Sequence, residues 1–160
     1  MNRVLDSLRR FQFAQTAAFH RASEALGISD AALSAIHTLV THNIEDGITM
    51  KDLAHDLGVS PAVLTGIVDR LEEKGWIRRQ LHSSDRRSTV VVATVDDESD
   101  VVRVLQALDA PLRKVANSIS DDAAAVVRTM SGAMETELRK FDPEVAMGTS
   151  SDELRQDRTG

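Results

Sequence analysis

Apolar residues recur every three to four positions through most of the chain and give way to a β-branched run near residue 90. Between 2 and 26, Val4, Leu5, Leu8, Phe11, Ala18, Phe19 and Ala22 keep helical spacing, and Gly27 supplies a stop. Ser29-Asp30 can cap a second helix over 30–42 that carries Leu33, Ile36, Leu39 and Val40 along one side. Asp46-Gly47 closes that stretch in a turn. Two short helices follow. Thr49 caps the first, Asp52 suits its positive end, and Leu53, Ala54 and Leu57 point inward until Gly58 breaks it. Ser60 caps the second, over 61–74, and Pro61 at its first position gives up no needed hydrogen bond. Its inward residues are Leu64, Ile67, Val68 and Leu71, and Gly75 stops it.

A strand opens at Trp76-Ile77, and STVVVATV at 88–95 is its return, with the polar segment 82–87 as the hairpin tip. A long helix is expected over about 97–117, bent or interrupted by Pro111. Ser120 with Asp121-Asp122 caps a last helix that reaches about Lys140, and Pro143 ends it. The fold class is therefore mainly α with a small β-hairpin wing. A winged helix-turn-helix over 29–95 stands between an N-terminal dimerisation helix, 1–28, and C-terminal dimerisation helices, 96–141. The polar stretch 142–160 reads as a disordered tail.

The dimer follows from two leftover apolar stripes. One is Val101, Val102, Leu105, Leu108, Leu112, Val115 and Ile119; the other is Val126, Val127, Met130, Met134, Leu138 and Phe141. So small a domain offers them too little partner surface, and a second copy would cover them. An intrachain helical hairpin is the alternative.

Composition narrows the function. The chain has 160 residues, 42% hydrophobic and 28% charged, with no cysteine, so disulfides, thiolate metal sites and thiol redox sensing are excluded. No stretch approaches the ~20 apolar residues of a membrane span, and the N-terminus does not read as a signal peptide. A cytoplasmic protein is the default expectation. The net charge of −6 argues at first against a nucleic-acid partner, but it is unevenly spread. Residues 1–87 hold 11 basic and 11 acidic groups, whereas 88–160 hold 8 and 14. Within 70–87, six cations (Arg70, Lys74, Arg78, Arg79, Arg86 and Arg87) outnumber three carboxylates. A basic stripe on an acidic body can dock one face on phosphate.

A helix-turn-helix needs a small residue where its helices cross and a turn residue four positions on, and Ala54 and Gly58 stand there. The outward face of the second helix then holds Ser60, Pro61, Ala62, Thr65, Gly66, Asp69 and Arg70. Small residues admit base edges, Thr65 can bond a base or touch a thymine methyl, and Arg70 suits a phosphate or a guanine edge. Arg86 and Arg87 at the hairpin tip can enter a minor groove. Asp85 would hold the tip by accepting backbone or Arg hydrogen bonds, and Asp69 could orient Arg87 in the same way. Taken separately, an ordinary helical hairpin and a solvated charged turn would show these features too; their succession favours DNA. A winged-helix module that binds protein instead is the alternative. No Ser-His-Asp arrangement, carboxylate pair, phosphate-cradling glycine loop or metal motif points to an enzyme, and no cofactor is implied.

The block DLAHDLGVSPAVLTGIVDRLEEKGWIRRQLHSSDRRSTVVVAT, with LGISDAALSAIHTLV before it, resembles the MarR (multiple antibiotic resistance regulator) family. The likeness covers about residues 5–140. It implies a homodimeric winged-helix regulator, most often a repressor, that binds double-stranded DNA at a pseudo-palindromic operator. Ser60, Pro61, Ala62, Thr65 and Arg70 match its major-groove helix, and Arg87 its minor-groove arginine. The resemblance also implies a small aromatic or lipophilic effector near Phe13, Ala17, His20, Ile36 and His37. Those two histidines read more readily as packed or partly exposed side chains than as ligand donors.

Overall fold

The structure is a computed structural model and describes residues 2–41, 47–82 and 88–141. Its elements are α1 (Arg3–Leu26), α2 (Asp30–Thr41), β1 (Ile48–Thr49), α3 (Met50–Leu57), α4 (Pro61–Glu73), β2 (Ile77–Leu81), β3 (Thr89–Ala93), α5 (Asp100–Ala116) and α6 (Asp121–Leu138). Side-chain caps start most of the helices. Thr49 accepts the N–H of Asp52, Ser60 that of Val63 and Ser120 that of Ala123. Ser29 accepts the N–H of Ala32 and so caps α2. Each cap satisfies a backbone donor that the first helical turn leaves without a partner.

The sheet has three strands in the order β1-β3-β2, all antiparallel. A two-stranded hairpin was expected; β1 is the addition, with Ile48 opposite Val91 and Thr49 opposite Val90. Gly47 makes this possible. Its φ is +77°, and a Cβ there would lie 2.7 Å from a Val92 methyl and 2.8 Å from the Val91 carbonyl oxygen. Only a residue without a side chain lets the backbone come so close to β3.

Two other expectations change at α5. Its first turn begins at Asp100, not 97, because 96–99 form a turn: Ser99 N–H donates to the Asp96 carbonyl at 3.2 Å, and Ser99 Oγ accepts from Val102. The helix also continues past Pro111 to Ala116, so of the bend or interruption expected there the interruption does not occur.

Residues up to Pro111 form one compact unit and those from Leu112 a second. In the first, Leu33, Ile36, Leu53, Leu64, Val68, Leu71, Val91 and Val101 are fully buried. Val102 and Leu105 join them, which corrects the stripe reading of α5: its first half belongs to this core, and exposure begins at Leu112 and Val115. The first half of α1 contributes little, since Val4, Leu5, Phe11 and Phe13 are exposed. In the second unit α6 has no buried residue, and Val126, Val127 and Leu138 are exposed.

Ser23 is the buried polar side chain of the first unit, at the joint between α1 and α2. Its single hydroxyl proton is shared between Asp30 and the His20 carbonyl, and His20 Nδ1 lies 3.2 Å from Asp30. Serine, histidine and aspartate thus meet here, although no such arrangement was legible in the sequence. It is not a nucleophile site, because the serine hydroxyl is buried and faces the carboxylate, not the imidazole. The Ser23 hydrogen bond, then His20, holds the Asp30 carboxyl below its ordinary value of 3.8. A carboxylate depressed in the folded state stabilises it above the unfolded pKa and loses that contribution as pH falls through the folded one. Thermal melts of the wild type and Asp30→Asn should therefore differ fully at neutral pH and converge as pH drops below about 3.8. A gap that stays constant to the lowest pH would remove Asp30's charge from the joint.

Candidate nucleic-acid interface

Gly58, with φ +63°, turns the chain sharply between α3 and α4. Its N–H and that of Val59 return to the last carbonyls of α3, at 3.1 Å each. Ala54 is nearly buried there, as a close helix crossing requires. Leu64, Ile67, Val68 and Leu71 seat α4 on the core, which fixes its opposite face outward. On that face Ser60, Pro61, Ala62, Thr65, Asp69 and Arg70 are exposed and Gly66 is half-buried. Val63, 52% exposed, shares it and was assigned no role by the sequence. Thr65 Oγ1 donates to the Pro61 carbonyl at 2.9 Å.

The sheet is locked to this helix through Arg79, which the sequence placed only in a general basic stripe. Alternation along β2 puts Arg79 on the same side as buried Ile77, toward α4. Its guanidinium bonds both Asp69 and Glu72, and Glu72 also accepts the Arg79 backbone N–H at 3.0 Å. Because β2 is an edge strand, that N–H needs a partner beyond the sheet. The hydrogen bond that Arg79 donates to Asp69, before the one it donates to Glu72, raises the Arg79 pKa above its usual value. Asp69 thus ties α4 to β2 through Arg79, and the contact expected between Asp69 and Arg87 falls outside the described residues. Arg87, Arg86 and Asp85 lie outside the described residues.

This fork redistributes the basic stripe. Arg79 is committed to two carboxylates, and Lys74 Nζ sits 5.0 Å above the Trp76 ring. Arg70 and Arg78 are exposed and make no ion pair among the described residues, so they remain available to an anion.

The five residues expected near an effector lie on α1 and α2 and differ in exposure. Ile36 is closed within the core, whereas Phe13 is 76% exposed, and Ala17 and His20 are also exposed. His37 Nε2 lies 3.1 Å from Asp109 on α5 and its ring meets Phe19 edge-on at 6.0 Å. His20 is engaged with Asp30 and Glu24. A cavity of about 380 Å³ lies elsewhere, with Ile28, Ala32, Ile67 and Leu71 in its wall and Arg70, Glu73 and Lys74 beside them. Among the described residues there is no cluster of three His, Asp or Glu that could hold a metal, and no helix long and apolar enough to cross a membrane.

Residues 28–89 match the model of the MarR family. The transcriptional regulator PecS of Dickeya dadantii is 24% identical over 135 residues, spanning 84% of this chain and 81% of PecS. The crystal structure of transcriptional regulator PA3341 is 26% identical, with a TM-score of 0.65 over 85% of this chain and 98% of that one. A mutant of S. aureus MepR bound to an oligodeoxyribonucleotide shares the fold at 18% identity, with a TM-score of 0.53 over 86% and 99% of the two chains.

Proposed function

From the match of residues 28–89 to the MarR family model we propose that the chain is a MarR-family transcriptional regulator that binds duplex DNA as a homodimer, with α4 in the major groove. The observation that carries this reading is the outward face of α4, which is exposed, small-residued and ends in Arg70, a cation with no ion pair among the described residues. The uncovered apolar residues of α1 and α6 supply surface for a second copy, and two-fold symmetry would set the two α4 helices about 34 Å apart, one DNA turn. Segments 1–28 and 96–141 are read as the dimerisation helices and 29–95 as the DNA-binding domain. A cytoplasmic location fits such a role. Repression, relieved when an effector favours a dimer with wrongly spaced helices, is the mode this reading takes. For the effector, a small aromatic or lipophilic molecule, the cavity beside Arg70 offers an apolar wall with Arg70, Glu73 and Lys74 as its charged groups.

Fluorescence anisotropy with the chain's upstream DNA, at two salt concentrations and against random competitor, tests this directly. Tight binding that falls with salt and survives the competitor is the expected result. Arg70→Ala should weaken binding across all sequences and lower the salt slope by about one. Arg87→Ala should lose about 1–3 kcal/mol, the scale of a base-reading contact. Binding no better than to random DNA would move the reading to a winged-helix module with a protein partner.

A further inference from the structure

Resting on the reading of α4 as a major-groove helix, we propose that it recognises its operator chiefly through thymine 5-methyl groups and that Val63 is the residue that meets them. Val63 stands in the first turn of α4 with 52% of its surface exposed. An apolar side chain carried into the major groove finds one apolar feature on the base edges, the methyl of thymine. Around it, hydrogen-bonding side chains are few and partly engaged. Pro61 and Ala62 carry no polar side-chain atom. The Ser60 oxygen accepts the Val63 N–H, and the Thr65 hydroxyl gives its proton to the Pro61 carbonyl, which leaves a methyl as Thr65's apolar part. Gly66 adds no side chain, and nothing stands within 4 Å of where its Cβ would be, so the helix backbone can approach the bases closely.

Farther along, Asp69 is held by Arg79. Arg70, the long donor of this face, lies seven residues beyond Val63, about 10 Å along the axis, and is better placed for phosphate. The first two turns of α4 therefore offer methyls and bare backbone in place of the Arg, Asn or Gln forks that read guanine and adenine.

Selection of a preferred sequence from a randomised duplex pool with the full chain, followed by anisotropy, tests this. Each thymine of the selected half-site is replaced in turn by deoxyuridine, which pairs identically and lacks only the methyl. At one or two positions the replacement should weaken wild-type binding about four-fold per methyl, the value of one buried carbon. Val63→Ala should bind the thymine and uracil duplexes within about two-fold of each other, having lost the methyls that made the contact. The side chain is exposed and the Ser60 cap uses only its backbone, so melting curves of this variant should match the wild type. Tight, sequence-selective binding that ignores uracil at every position would overturn the methyl readout and leave the DNA-binding reading intact. Uracil sensitivity that persists in Val63→Ala would overturn the role of Val63. A pool that yields no preferred sequence would overturn both readings.

Discussion

Gly47→Ala is expected to destabilise the protein by about 3 kcal/mol, lowering its melting temperature by roughly 6–12 °C. Two penalties add. At φ +77° an alanine Cβ crowds its own backbone, and the same atom would meet a Val92 methyl at 2.7 Å and the Val91 carbonyl oxygen at 2.8 Å. The valine rotamer has little freedom to yield, since Val90 and Val91 are fully buried beside it, and the carbonyl belongs to the strand ladder. Relief requires β1 to draw away from β3, which would also loosen Thr49, the cap of α3. The contrasting substitution is Gly66→Ala, in a helix with nothing within 4 Å of the new Cβ, which should stabilise by about 0.5–1 kcal/mol. Denaturant melts of the two variants check both signs, and a Gly47→Ala protein as stable as the wild type would show that β1 is not held against β3.

Arg79→Ala is expected to reduce DNA affinity roughly ten-fold or more while costing only about 1 kcal/mol of stability. The stability term is small because the fork is partly exposed: the Arg79, Asp69 and Glu72 side chains are 28%, 54% and 39% exposed. The affinity term is larger for two reasons. Without the guanidinium, two carboxylates on α4 face the phosphates uncompensated. The strand that carries the wing also loses its lateral tie to the recognition helix. Arg79→Lys separates these effects, because it restores a charge without the planar fork. If charge dominates, lysine recovers most of the binding; if position dominates, it does not. Anisotropy at two salt concentrations reads the difference, and Arg79→Ala binding at wild-type affinity would detach the fork from recognition.

Local signals carried much of the fold into view. Thr49, Ser60 and Ser120 cap the helices they were expected to cap, and Gly27, Gly58 and Gly75 adopt positive φ at or just beyond helix ends. These effects act within one helical turn, so a short window of sequence contains all the interacting groups. Periodicity likewise exposed the inward rows of α2, α3 and α4 and, by subtraction, the outward face of α4.

Choices among equivalent partners were different. A two-residue strand such as β1 has too little pattern to be read, and it exists because Gly47 brings it to β3, some forty residues away. The first half of α5 and its second half look alike as apolar stripes, but only the first finds the core, where Val101, Val102 and Leu105 pack. Arg79 stood in the sequence as one cation of a general basic stripe, and the pleat of β2 brings it to Asp69. Ser23, Asp30 and His20 meet because α2 folds back beside α1. The sequence by itself determined where helices begin, end and turn a face inward, because those free energies are local. Which charged group neutralises which, which apolar stripe is covered and which backbone edge is paired were decided by the tertiary structure, because each depends on distances between segments remote along the chain.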